Sequence, residues 1–337
     1  MVTYVLRRVL LMVPILFGVS VVTFVVSRTL SVDPVVASIG AQAADHPAIV
    51  QAFRQEWGLD KPLPVQYLVY ITNLLHGNFG ISIYTHRPVL ADLHDYLPAT
   101  VELASAALLV SLLIAIPSGI YAATHRGSIA DLLVRLMTLL GTSMPIFWLA
   151  LVAFDVLYVN LGLVPGIGRL SPGIPAPPTV TGLYTVDSLL AGQFSVFVDA
   201  IWHLLLPAVV LASWSVGLLT RITRSSMLTV LHQDYLRSAR SRGAPEFHVI
   251  VRHALKNATI PVITVVGLAY GDLLSGAVVT ETIFSWPGIG RYAYQAASNA
   301  DFPAIIGVAL VVALIYMIVN LIVDVVYSLV DPRVQLA

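Results

Sequence analysis

Six stretches of this chain are long, apolar and nearly free of charge, and they constrain its fold more than any other feature. They fall at about 9–27, 103–124, 136–154, 200–220, 258–283 and 302–323. A helix of roughly 20 apolar residues crosses a hydrocarbon layer, where no water is present to satisfy backbone groups left outside a helix or closed barrel. Six such runs predict an all-α polytopic membrane protein. Composition agrees, with 58% of residues hydrophobic and 11% charged, against about 25% charged in a soluble domain. The first run follows Arg7-Arg8, and Ala41-Gln42-Ala43 looks like a signal-peptide cleavage site. That site lies well past the run, which is longer than the usual secretory core of about 7–15 residues. We read it as a span.

This reading divides the chain into 1–27 (N-terminus and first span), 28–97 (a small extracytoplasmic domain between the first two spans) and 98–337 (a helical core). The core spans are placed at 99–124, 135–159, 200–222, 258–283 and 302–329, with a cytoplasmic loop at 224–257. Residues 74–84, LLHGNFGISIY, read as a turn entering a short strand, because Phe79, Ile81 and Ile83 alternate. Six spans put both termini on one side, and twelve of the 18 Lys and Arg then fall inside. Retention of Lys and Arg in the cytoplasm makes that side the cytoplasm. The GIGR at 166–169 recurs at 288–291, and both copies sit in turn-rich loops without further repetition.

The most polar part of the core is 234–257, DYLRSARSRGAPEFHVIVRHALKN, with five basic and two acidic side chains. It reads as two helices with a break. Helix formers run from Leu228 to Ser241, Gly243 supplies a stop, and Pro245-Glu246 suit the first turn of a new helix. Charge alone fits a topology signal on anionic lipid, whereas a bent, exposed, basic helical pair also fits a docking surface for a partner.

Several functions are excluded or disfavoured. Formal net charge is zero, which gives no argument for nucleic acid, and without cysteine there is no disulfide, thiolate metal site or cysteine nucleophile. The two lysines, Lys61 and Lys256, do not follow glycine, so no GxxxxGK[ST] phosphate loop exists. Any ATP-driven work needs a second chain to hydrolyse the ATP. No HExxH or GxSxG occurs either, which argues against an intramembrane enzyme.

The loop 234–257 resembles the EAA loop of binding-protein-dependent ABC importer permeases, in the version found in the dipeptide, oligopeptide and nickel branch. Asp234, Tyr235, Arg237, Ala239, Arg240, Arg242 and Gly243 match it, as do Arg252, His253, Leu255 and Asn257. Arg237 and Lys256 stand where the general EAA pattern has Glu and Pro. Further similarity lies in Asp33-Pro34-Val35, GLDKPLPVQY at 58–67, HGNFGIS at 76–82, SMPIFW at 143–148, TRSSML at 223–228, TETIFSWPGIGR at 280–291 and DPR at 331–333. The most similar subgroup is dipeptide permeases, while nickel and glutathione permeases share the framework. The resemblance implies a type I importer permease fold in a bacterial cytoplasmic (inner) membrane. Its implied partners are a second homologous permease, two ABC ATPase subunits and an extracytoplasmic solute-binding protein. It implies no cofactor on this chain, with ATP and Mg on the ATPases. The eleven matching loop residues would couple the ATPases to transport. An ATP-independent secondary transporter would have no use for such a loop.

Ionisable groups in spans are costly and often functional. Asp272, with Ser275 and Glu281 nearby, is therefore expected in the substrate pathway, the alternative being a structural hydrogen bond, to Ser275 on its own helix or to a neighbouring or partner span. Trp286, Pro287 and Tyr292 are expected at an outer gate or at the binding-protein contact, the alternative being an interfacial aromatic belt. Residues 28–97 are either a cap on the outer face or a binding-protein contact. No histidine pair has ligand spacing within a span, so no metal site is expected.

Overall fold

The computed structural model describes residues 2–29, 35 and 46–330. The Asp33-Pro34, Ala41–Ala43 and Asp331–Arg333 signals lie outside them. The described chain is helical: α1 Val2–Thr29, α2 Pro47–Glu56, α3 Leu63–Leu75, α4 Val89–Thr124, α5 Ile129–Ser143 and α6 Ile146–Phe154. Then come α7 Tyr184–Leu190, α8 Phe194–Leu231, α9 Asp234–Ser241, α10 Glu246–His248, α11 Leu255–Ile283, α12 Ile289–Ser298 and α13 Phe302–Val330. Wider π turns follow α6 at Asp155–Asn160 and α10 at Val249–Ala254.

Among the described residues five helices are long and apolar enough to cross a membrane, or six if α5 and α6 with the turn after it, bent by 102° at their break, count as one span. Within the stretch expected as the third span, 135–159, the helix breaks at Pro145. Pro145 has no amide hydrogen and pushes Met144 into an extended conformation (ψ 130°), so the helix cannot run through. Pro207 and Pro261, by contrast, lie inside continuous helices. The short strand expected at 79–83 is also corrected. Ser82 N–H donates to Arg87 O at 2.9 Å and Val89 N–H to Gly80 O at 3.0 Å. The segment closes on itself with one antiparallel bridge, Ile81 to Pro88.

The described residues form two compact units. One comprises Val101–Trp286 with the chain from Val319, and α8 is its centre, packing on α5, α6, α7 and α11. Ser111 and Ser215 share a buried hydrogen bond of 2.6 Å between α4 and α8. At one end of α5, the Asp131 carboxylate takes Arg224 Nε at 2.7 Å and Nη2 at 2.9 Å from α8. A Cβ on Gly217 of α8 would lie 2.7 Å from Thr142 Cγ2 and 2.8 Å from Thr138 O of α5. Small residues let membrane helices approach this closely, which is where they gain dispersion energy without a hydrophobic driving force.

The loop between α6 and α8 is pinned by a buried ion pair. Arg169 donates to Glu102 Oε2 and to Gly182 O, and its guanidinium lies 3.4 Å from the Tyr184 ring centroid. Glu102 Oε1 also accepts from Thr185 N and Oγ1 at 2.8 and 2.7 Å. Asp187 closes the same loop, accepting from Thr181 N and Oγ1, Gly182 N and Val180 N at 2.7–3.2 Å.

The second unit is Val2–Thr100 with Pro287–Ile318. The boundary expected at 27/28 does not delimit it. Residues 28–97 are too few to bury a core alone, and they share one with α1 and α12–α13. Phe24 of α1 packs edge-on against Tyr67 of α3 at 5.3 Å, and Ser20 hydrogen-bonds Tyr67 Oη at 2.8 Å. Val89, Leu93, Ile289, Tyr292, Ala304 and Val308 form the main apolar cluster. Asp301 anchors the 82–84 turn, accepting from Ser82 Oγ and Tyr84 N.

Two outcomes are expected. Gly217→Val forces α5 and α8 apart and costs about 1–3 kcal/mol or more, seen as a lowered unfolding temperature in detergent. For Asp187, burial pushes the carboxyl up, but the hydrogen bonds from Thr181, Val180 and Gly182 outweigh it and hold it below its ordinary value of 3.8. A depressed carboxyl stabilises the fold above the ordinary value and loses that contribution as the pH falls through the folded one. Hydrogen-exchange protection of the 179–190 loop, taken relative to the intrinsic amide rate at each pH, should stay constant between about pH 5 and 8 and fall only under more acidic conditions than an ordinary carboxyl requires. Asp187→Asn should abolish that dependence.

Candidate functional site

The loop 224–257 folds into an elbow whose underside is apolar. α9 places Leu236 and Ala239 three residues apart on one face, and both are buried. They join Ala123, Met227, Val249, Ala254 and Ala258 in a cluster that Leu255 and Ala244 also touch. Asp234, Arg237, Arg240 and Arg242 occupy the exposed face. The helix expected over 228–241 is divided: α8 ends at Leu231, and Gln233 is extended (ψ 145°) before α9 starts. Asp234 in the first turn of α9 suits the positive end of the helix dipole.

The break after α9 has a defined hydrogen-bond pattern. Gly243 N–H donates to Arg240 O at 2.9 Å and Ala244 N–H to Ala239 O at 3.3 Å. These are the paired bonds of a Schellman ending, which needs a left-handed residue between them. Gly243 supplies it with φ +79°. Nothing lies within 4 Å of where its Cβ would be, so backbone conformation and not crowding selects glycine there.

Two side-chain braces close the elbow. Arg240 forks onto Glu246 across the break, Nε to Oε2 at 3.1 Å and Nη2 to Oε1 at 2.8 Å. Asn257 donates to Tyr235 Oη at 2.6 Å, and that hydroxyl donates to His253 O at 3.4 Å. The eleven expected coupling residues therefore divide by role. Ala239, Gly243 and Leu255 shape the elbow, and Tyr235, His253 and Asn257 tie α9 to the start of α11. Asp234, Arg237, Arg240, Arg242 and Arg252 present charge. Motif matching missed Leu236 and Val249, which form the floor together with Met227 of the TRSSML match. The three-residue spacing of Leu236 and Ala239 in an otherwise polar helix was the available signal.

The other expected sites are dispersed. Asp272 and Ser275 are exposed on α11, and Ser275 Oγ donates to Gly271 O at 3.0 Å, so it does not bond Asp272. Glu281 is fully buried, which removes it from any water-filled pathway in this conformation. Trp286 and Tyr292 are each 1% exposed. Trp286 lies 5.7 Å from the Arg169 guanidinium, while Tyr292 donates to Asp92 Oδ2 at 3.1 Å and stacks on Tyr96 at 4.9 Å. Burial pushes the Tyr292 phenol well up. Both rings are buried in this conformation. Pro287 beside them is half-exposed. A separate cavity of about 200 Å³ is lined by Leu108, Val266, Gly267, Tyr270, Val319 and Val323 among others. That lining is apolar and does not include Asp272.

Comparison with known proteins gives the family. Residues 115–336 match the family described as binding-protein-dependent transport system inner membrane component, and 1–104 match its N-terminal family. The chain belongs to this family. It is 47% identical over 323 residues to the probable D,D-dipeptide transport system permease protein DdpB of Escherichia coli (strain K12), covering 96% of this chain and 94% of that one. It is 42% identical to the dipeptide transport system permease protein DppB of Alkalihalophilus pseudofirmus, covering 99% and 100%. Identity to the Escherichia coli (strain K12) dipeptide transport system permease protein DppB is 40%, covering 99% of each. Among solved structures, an inward-facing form of the MetNI methionine ABC transporter matches with a TM-score of 0.50 at 14% identity, over 69% of this chain and 93% of that chain. At that identity the likeness concerns fold alone.

The elbow's stability should come from its floor and not its surface. Leu236→Ala is expected to cost about 2–5 kcal/mol, whereas Arg240→Ala, which breaks an exposed pair, should cost less than about 1 kcal/mol. Thermal unfolding of both variants in the same detergent checks the contrast.

Proposed function

We propose that this chain is one of two homologous permease subunits of an ATP-driven importer that carries dipeptides or short oligopeptides across a bacterial inner membrane. The observation that carries the substrate class is full-length identity of 40–47% to permeases whose names specify dipeptides. Both termini and the elbow face the cytoplasm in this reading, in line with the excess of Lys and Arg there. Separate ATPase subunits dock on the 234–257 elbow and supply the energy, and a solute-binding protein delivers peptide from outside.

The elbow is suited to that task. Coupling requires a partner to contact two states of the permease differently, and the connecting element must move as a body and not flex. The Schellman turn, the Arg240–Glu246 fork and the Tyr235–Asn257 bond join α9 to the helix that continues through α11. That helix spans 38 residues from Glu246 to Ile283, roughly 57 Å at 1.5 Å per residue. Displacement at the elbow is thus passed along a lever that crosses the membrane.

Asp272 lies on that lever, charged and exposed inside an apolar helix. A carboxylate facing acyl chains would be expensive. Water in the pathway, and the ammonium group of a peptide, give it a compatible environment. Ser275 is one turn further along the exposed side.

Reconstitution tests the assignment. Proteoliposomes holding the two permeases and the ATPases should take up dipeptide with binding protein and ATP, and not without the ATPases. Gly243→Asp retains a residue type that tolerates the left-handed conformation but sets a carboxylate in the exposed basic surface. It should insert normally, release the ATPases and reduce uptake to background. Uptake without any ATPase subunit would establish secondary transport instead.

A further inference from the structure

The exposed apolar side chains among the described residues lie mostly within the apolar runs of membrane-crossing helices. Phe247 lies on such a helix but outside its apolar run. It is 71% exposed and sits between Glu246 and His248 at the start of the helix leaving the elbow. It has no part in the apolar floor beneath, which is filled by Leu236, Ala239, Val249 and Ala254.

Distance argues against lipid as its cover. The apolar run of the following span begins at Ala258, eleven residues beyond Phe247, roughly 16 Å along a helix. On the other leg, α8 continues to Leu231, eleven residues past the end of its apolar run at Thr220. The headgroup layer adds only about 5–8 Å to each side of the hydrocarbon core. Both legs therefore carry the elbow beyond the bilayer surface.

The surroundings indicate what does cover it. Arg237 pairs with Asp234 at 3.6 Å and Arg240 with Glu246 at 2.8 Å, which engages both carboxylates of the 234–257 stretch. Arg242, Arg252 and Lys256 are exposed as well. The outer surface is an aromatic ring with a net positive surround, mounted on a rigid turn. Buried aromatic anchors encircled by weaker polar contacts dominate the energetics of protein interfaces, and complementary charge selects the partner.

We propose that Phe247 is the anchor of the ATPase contact, inserted into an apolar pocket that carboxylates of the ATPase subunit rim. This rests on the coupling role assigned to the elbow and adds the residue that supplies its affinity.

The test uses the assembled complex in nanodiscs and measures ATPase subunit affinity for Phe247→Ala, Phe247→Trp and Gly243→Asp. Phe247→Ala should weaken association about thirty-fold, equivalent to about 2 kcal/mol, with nearly unchanged thermal unfolding because the ring stands outside the apolar floor and meets the adjacent His248 ring edge-on at 6.4 Å. Phe247→Trp should stay within a few-fold of the parent. Loss of affinity for Gly243→Asp with none for Phe247→Ala would overturn the anchor and leave the coupling elbow standing. If neither variant loses affinity, the elbow is not the docking site and both readings fall. A loss for Phe247→Ala that appears in phosphatidylglycerol nanodiscs and vanishes in phosphatidylcholine ones would make the ring a lipid contact and overturn the proposal.

Discussion

The packing of Leu236 and Ala239 onto Val249, Ala254 and Met227 joins the most polar stretch of the chain to its membrane helices. Without this floor, residues 234–257 would be a solvated connection whose charges could move independently of the spans. With it, α9 and the start of α11 form one body, and the Schellman turn at Gly243 sets the angle between them. Surface pairs such as Arg237–Asp234 are too exposed to hold that shape. Burial of small aliphatic groups does so, since each cavity opened beneath the turn forfeits both transfer energy and contact.

The membrane helices use a different economy. In lipid, apolar side chains gain nothing by leaving one another for acyl chains, so close approach and interhelical hydrogen bonds decide which faces meet. Gly217 against Thr138 and Thr142, and Ser111 against Ser215, are examples of each. The loop from 161 to 193 is held by another device, the buried Arg169–Glu102 pair capped by Tyr184. Removing one partner of such a pair is more damaging than its net contribution suggests, because the other charge stays buried.

Much of this was legible in the sequence because the relevant signals are local. Charge exclusion over about twenty residues marks a span whatever packs on it. Gly243 followed by Pro245-Glu246 marks a stop and a start by backbone chemistry alone. Less legible was anything that depends on a distant neighbour. Trp286 and Tyr292 read as surface aromatics because they sit in a short link between spans, but Tyr292 finds Asp92 and Tyr96, nearly two hundred residues earlier. The first GIGR looked like turn filler, yet its arginine is the buried residue that closes a loop. Nor does any local pattern state the size of the bend at Pro145, 102°.

By itself, then, the sequence determined that the chain has about six runs able to cross a membrane, that a basic bent element interrupts them, and that no phosphate-loop ATP site lies within these 337 residues. These follow from hydropathy, from glycine and proline stereochemistry and from the lack of a phosphate loop, none of which needs a third dimension. Tertiary structure alone decided which residues of the bent element brace it and which face outward, that Glu281 is core while Asp272 is exposed, and that the first span shares a core with the segment after it. Those outcomes turn on side chains far apart in the chain competing for the same buried space, and no local pattern records which of them wins.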